Sequence, residues 1–289
     1  MNDHPPQMSS GNIAVLTGIA MIAFAANSVL CRVSLGTDLI DAASFTTVRL
    51  LSGAVCLLLI VSIQEKNWRP TRPDWPSVLA LYVYMICFSY AYRSLSTGTG
   101  ALLLFGFVQL TMIGTAIYRG ERLKTLGWTG LLIATGGLIY LVLPGVEAPD
   151  PKYAALMAIA GLAWGAYSLL GIRGDAPTSS TANNFLYATP LAVLFSILDS
   201  NNLHITWQGG LLGIASGAIA SGLGYAIWYT ALKYIRATTA AIVQLSVPAL
   251  ATLGGVILLG EFLTLRIVFA TMLTVGGIAI FLTRPTSSS

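Results

Sequence analysis

IAMIAFAANSVL, residues 19–30, returns as IAGLAWGAYSLL at residues 159–170; six of the twelve positions are identical, and four more exchange one apolar or small residue for another. The offset is 140, and it persists. TGTGALLLFGFVQLTMIGTAIYRGERL (97–123) aligns without gaps onto ATTAAIVQLSVPALATLGGVILLGEFL (237–263), which superposes Gly120-Glu121 on Gly260-Glu261, and Gly136-Gly137 likewise matches Gly276-Gly277. A chain of 289 residues has written one half twice.

The composition says where such halves reside. Hydrophobic residues make up 55% of the chain and charged residues only 9%, outside the range of soluble domains. A helix needs about 20 mostly apolar residues to cross the hydrocarbon core. Ten runs qualify: 12–34, 42–63, 76–95, 98–118, 125–144, 153–172, 181–198, 207–232, 238–259 and 264–283. They are continuous rather than alternating, so helices are expected and not barrel strands. The reading is an all-α integral membrane protein, one membrane domain over 1–289, with repeat one at 12–144, repeat two at 153–283, and disordered tails at 1–10 and 285–289. The first run is read as part of the mature protein and not as a cleavable signal, because it exceeds the usual length and has a copy deep in the chain.

Five spans separate each residue from its copy. Five is odd, so the second half crosses the membrane in the opposite sense: ten transmembrane helices form two inverted five-helix repeats. Halves related in this way can exchange conformations, closing one face while opening the other. That is the logic of a transporter; a passive channel remains as an alternative that needs no such motion. Loops on the side of the N-terminus hold Lys66, Arg69, Arg72, Arg119, Arg122, Lys124, Arg173, Lys233, Arg236 and Arg284, against Arg32, Arg93, Lys152 and Arg266 on the other. Both termini are expected in the cytoplasm.

Several classes of function are disfavoured. The net charge of +4 lies in short loops and not along one face, so no nucleic-acid partner is expected. Cys31, Cys56 and Cys87 stand singly without CxxC pairing, which gives no metal site or disulfide framework. His4 and His204 fall outside the spans, and no HExxH or paired intramembrane aspartate is present, so an enzyme is not expected. No cofactor is implied. No span contains an interior Asp or Glu, which leaves proton antiport without an obvious carrier and favours gradient-driven movement or exchange of a zwitterion.

The duplicated five-helix halves, Arg49 in FTTVRLLSG, the Gly-Glu pairs ending spans 4 and 9, and the Gly-Gly pairs in spans 5 and 10 resemble the drug/metabolite transporter superfamily and its ten-helix EamA-type exporters. Within it the chain looks most like the YddG-type exporters of aromatic amino acids. The resemblance implies a monomer in the bacterial inner membrane, with a central cavity lined by spans 1 to 4 and 6 to 9 and with spans 5 and 10 at the periphery. Its implied cargo is an amino acid, with another small metabolite or drug as the alternative. Family members often carry proline in both spans 4 and 9, whereas Pro248 is here matched by Val108. A hinge in span 4 would then rest on a glycine such as Gly106, with Pro190 and Pro248 as the proline hinges.

Candidate substrate contacts are polar or aromatic residues facing the bundle interior. Phe24, Asn27 and Ser28 share one face of span 1, and Trp164, Tyr167 and Ser168 repeat it in span 6. Ser28 and Ser168, and with them Asn27 and Tyr167, also have a reading as packing residues. Gln244 stands four residues before Pro248, so its carbonyl loses its usual helical partner and could join its amide in holding an ammonium group. Gln109 has no polar copy; for both glutamines the competing role is an interhelical hydrogen bond. Tyr82, Tyr225 and Trp228 lie deep enough to face a flat apolar substrate, while Tyr90, Tyr92 and Tyr229 read as interfacial anchors. Arg49 has two readings: partner for a substrate carboxylate, or structural ion pair or hydrogen bond to loop backbone near Asp38 or Asp41. Gly209, Gly213, Gly217 and Ser221 form a four-residue ridge that reads as a packing or sliding surface.

Overall fold

The computed structural model describes residues 8–65, 68–120, 125–145, 147–171, 176–235 and 237–282. Its helices are α1 (Ser10–Gly36), α2 (Ala42–Gln64), α3 (Trp75–Ala91), α4 (Thr97–Tyr118), α5 (Thr125–Val142), α6 (Pro151–Gly171) and α7 (Pro177–Leu198). The eighth crossing, Trp207–Leu232, is composite: α8 (Trp207–Ile214), a π-helical stretch (Ala215–Leu223) and α9 (Gly224–Leu232). The ninth is broken at Leu245 into α10 (Ala237–Gln244) and α11 (Ser246–Leu259), and α12 (Leu265–Leu282) is the tenth. Among the described residues, nine crossings are long and apolar enough to span a membrane. The exception is α3, with 17 residues, yet it must cross, because α2 ends on one face and α4 begins on the other.

The connections sort onto two faces. On the face opposite the termini, Asp41 donates its amide to the His204 carbonyl (2.8 Å), Thr206 donates to Leu39 (2.9 Å), and Ile40 bridges Ile205, which ties the α1–α2 and α7–α8 connections together. On the terminal face, Ser179 donates to the Glu65 carboxylate (2.6 Å), and the Tyr187 hydroxyl donates to the Thr71 carbonyl (3.1 Å). Thus α1 departs from the terminal face and its copy α6 from the opposite one, so the repeats are inverted.

The pairing of α5 with α12 displays the twofold relation atom by atom. Gly137 packs against the Thr274 backbone, its copy Gly277 packs against the Ala134 backbone, and 134 and 274 are themselves copies in contact through Thr274 Oγ1 and the Ala134 carbonyl (3.5 Å). Reciprocal contact of this kind is what a twofold axis produces. These two helices lie to one side of the cavities and contribute no lining residue to them.

The repeated Gly-Glu pairs also acquire a backbone reason. Gly120 and Gly260 follow the ends of α4 and α11 with φ of +94° and +64°, a left-handed turn that terminates a helix and that glycine adopts without steric penalty. The glycine ridge of the eighth crossing packs on α2 and the loop before it: Gly209 meets the Leu39 carbonyl, Gly213 meets Val48, and Gly217 meets Ser52 and the Arg49 carbonyl. Since a Cβ at Gly217 would collide with backbone, Gly217→Val is expected to destabilise by about 1–3 kcal/mol. Gly210→Val is its control, because nothing lies within 4 Å of a Cβ there. Thermal unfolding in detergent should show a markedly lower Tm for the first variant; equal values would mean that the ridge is slack.

Of the three hinge positions, only Pro248 stands beside a break, one turn after Leu245. The helix α4 continues through Gly106, which packs against Leu138, and α7 continues through Pro190. Glu121 and the basic residues Lys66, Arg122, Lys124, Arg173, Arg236 and Arg284 lie outside the described residues, as does most of both tails.

Candidate functional site

A cavity of about 320 Å³ opens at the terminal face, where Gly171, Pro177, Lys233 and Ile235 form its rim. It reaches the middle of the bundle, where its walls are Trp164 and Ser168 of α6, Tyr225, Trp228 and Tyr229 of α9, Met112 of α4 and Gln244 of α10. Trp164 is its hub. The indole stacks at 5.2 Å and 29° on Tyr225, at 5.4 Å and 28° on Tyr167, and lies 4.8 Å from the Tyr84 ring. Phe24 closes edge-on against Tyr225 (5.8 Å) and Trp228 (6.0 Å). Such contacts fix ring planes as well as burying area.

Beyond Trp164 and Tyr225 lies an inner cavity of about 20 Å³. Phe24, Asn27 and Ser28 of α1 line it together with Tyr84 and Phe88 of α3, and Trp164 and Tyr225 wall both spaces. Ser216, in the π-helical stretch, donates to Asn27 Oδ1 at 2.6 Å. The wider turn of a π-helix rotates successive side chains differently from an α-helix, and here Ser216 meets Asn27, Ser221 meets Arg49 and Ala220 meets the inner cavity.

Arg49 is fully buried behind that cavity. Nε donates to Ser221 Oγ (3.2 Å), Nη2 donates to the Tyr84 hydroxyl (2.9 Å), and Nη1 has no partner. The guanidinium also sits 5.0 Å from the Phe88 ring centroid and 5.3 Å from that of Tyr84. The loop backbone near Asp38 and Asp41 is therefore not its partner.

The opposite face is shut. Glu261 accepts the Thr97 amide at both carboxylate oxygens (3.1 and 2.9 Å), which caps the start of α4, and also accepts Arg32 Nε (3.2 Å). Arg32 Nη1 donates onward to the carbonyls of Tyr92 (3.3 Å) and Arg93 (3.4 Å). One carboxylate and one guanidinium thus fasten α1, the α3–α4 turn and the α11–α12 turn. At the same face Asn202 and Tyr90 donate to Asp199 and hold its carboxyl below the ordinary range.

The structure brings eight of the twelve sequence-selected contacts to the cavities: Phe24, Asn27, Ser28, Trp164, Ser168, Tyr225, Trp228 and Gln244. Four line neither. Tyr167 is buried against α7, where its hydroxyl meets Thr181 and Asn184 at 3.4 Å. Gln109 is buried with Nε2 unpaired, so the competing reading, an interhelical bond, is not met at that nitrogen. Tyr82 is half-buried against the apolar core, and Arg49 stands behind Tyr84 and Phe88. Sequence reasoning missed Tyr84 and Phe88 as walls; the copy of Phe88 is Trp228, which was selected, so the 140-residue offset held the signal. Tyr92 and Tyr229 are corrected from interfacial anchors. The first is fully buried over Gly100 and donates to the Thr97 carbonyl (3.3 Å), and the second lines the large cavity.

The model of the EamA-like transporter family matches residues 11–143 and again 151–283. An uncharacterized protein of Pseudomonas aeruginosa is 48% identical over 93% of each chain. The uncharacterized transporter YoaV of Bacillus subtilis is 22% identical over 92% of this chain and 96% of its own length. The threonine/homoserine exporter RhtA of Escherichia coli K12 is 29% identical over 53% of this chain and 52% of its own. A crystal structure at 20% identity aligns with a TM-score of 0.69 over 94% of this chain and 98% of that one, which shows the shared fold. Two matched repeats, spanning nearly the whole chain and built as an inverted pair around a closed-ended cavity, place this protein in the EamA-like transporter family, a family of multi-pass membrane transporters and not of enzymes.

Proposed function

We propose that this transporter exports amino acids, aromatic ones foremost, from the cytoplasm by alternating access. The observation that carries the proposal is the cavity of about 320 Å³, open at the face of both termini and sealed at the other by Glu261 and Arg32. Its volume is that of a small-molecule site. A blind cavity suits a carrier that takes cargo from one side at a time and does not suit an open pore. The excess of Lys and Arg on the terminal side supports a cytoplasmic position for that face.

Three features support the cargo class. The Trp164, Tyr225 and Trp228 rings offer a flat apolar slot. Gln244, at the break in the ninth crossing, brings an amide to the same wall. The relative RhtA exports threonine and homoserine, and the resemblance to YddG-type exporters points to aromatic members of that class. The bacterial inner membrane is the corresponding location.

Counterflow of radiolabelled amino acids in proteoliposomes tests this. Saturable exchange is expected, strongest for aromatic members; an unsaturable flux or an ionic conductance would replace the carrier with a channel. Gln244→Ala should raise the half-saturating concentration about tenfold while leaving Tm unchanged, which corresponds to losing a hydrogen bond to a charged group. Unaltered kinetics would remove Gln244 from the site.

A further inference from the structure

Arg49 is a positive charge held inside the membrane without a counter-charge among the described residues. It lies about two helical turns in from the start of α2, and among the described residues no Asp or Glu falls within a helix. The ion pair found among the described residues is Arg32 with Glu261, at the opposite face. Two neutral hydroxyls and two ring faces surround the guanidinium, and Nη1 is unpartnered. Burying a cation on such terms is unfavourable unless an anion completes the site. A role in the scaffold common to both halves does not account for it, because the copy of Arg49 is Thr189, which bonds only to its own helix at the Phe185 carbonyl (2.8 Å).

The surroundings show where an anion would come from. Tyr84 and Phe88, whose rings pack on the guanidinium, are walls of the inner cavity, and Ser221 follows Ala220, another wall. That space, about 20 Å³, holds roughly one water and is too small for a phosphate or for a whole substrate. It joins the large cavity at Trp164 and Tyr225. We infer that Arg49 receives the carboxylate of the substrate as it advances past these two rings, so that the chain recognises its cargo by that group while the apolar part stays in the aromatic slot. A guanidinium presents paired N–H donors that fit the two oxygens of a carboxylate. The inference rests on the export reading and deepens it, since it makes a carboxylate obligatory and excludes amines and lipophilic cations as cargo.

The test uses full-length protein in proteoliposomes, with counterflow of labelled phenylalanine competed by unlabelled phenylalanine, its primary amide and the decarboxylated amine. In the wild type the amino acid should compete about tenfold or more better than the amide or the amine, the worth of a charge-assisted pair. Arg49→Gln should bring phenylalanine down to the level of the amide without changing the amide, and Arg49→Lys should recover part of the preference. Equal competition by acid and amide in the wild type overturns the inference, as does a preference that survives Arg49→Gln; the export reading stands in both cases. Should Arg49→Gln fail to fold, the wild-type comparison and Arg49→Lys decide. Wild-type protein that exchanges no amino acid would sink the export reading and this inference with it.

Discussion

Glu261→Gln is expected to open the face that is now shut. The substitution keeps the shape of the side chain but removes its charge, and with it the ion pair to Arg32 and one of the two acceptors facing the Thr97 amide. Hydrogen bonds to a charged group contribute about 1.5–3 kcal/mol each. A loss near 3 kcal/mol shifts a two-state equilibrium about a hundredfold, enough to make a form open at this face common. In a background without native cysteines, a cysteine introduced at Thr252, which packs against Gly98 beneath the latch, should react with an impermeant thiol reagent far faster in Glu261→Gln than in the parent. Transport should fall because the closed state is seldom regained. Equal labelling rates would mean that apolar packing, and not this carboxylate, keeps the face shut.

Trp164→Ala should have the largest effect on transport itself. The indole touches Tyr84, Tyr167 and Tyr225 and walls both cavities, so its removal merges them into one space and frees three rings at once. Replacing a buried aromatic by alanine removes about 3–5 kcal/mol of packing. With the slot gone as well, counterflow should drop to background. Trp164→Phe, which keeps a ring, should restore a measurable fraction. Full activity in Trp164→Ala would show that cargo takes another route.

Much of this architecture is legible in the sequence. The offset of 140 alone predicts inverted halves, because an odd number of crossings reverses direction, and the reciprocal seating of Gly137 on Thr274 and Gly277 on Ala134 is its physical counterpart. Residues on one helical face, such as Phe24 with Asn27 and Ser28, were found by spacing. Contacts between helices were not. Arg49 reads from its own helix as near the Asp38 and Asp41 loop, yet its partners come from α3 and the π-helical stretch, 35 and 172 residues away. Tyr92 stands near a helix end and so reads as interfacial, but α3 stops at Ala91 and the chain turns inward over Gly100. In α3 almost every residue is apolar or aromatic, so hydropathy cannot say which ring faces a cavity. The π-helix leaves no trace in hydropathy either, since ASGAIASGL suits an ordinary turn as well as a wide one.

The ninth crossing is interrupted at Leu245 where the fourth continues unbroken, and the sequence difference beside the break is one residue, proline in one copy and valine in the other. In the proposed alternating-access cycle, reversing the roles of the halves therefore cannot regenerate a rotated copy of the starting state, and a carrier so built has two end points of unequal energy. That inequality gives different half-saturation constants in the two compartments, with limiting velocities that compensate, because free-energy differences sum to zero around a closed cycle. The imperfect copy can make loading quicker from one side, but it cannot concentrate anything unaided.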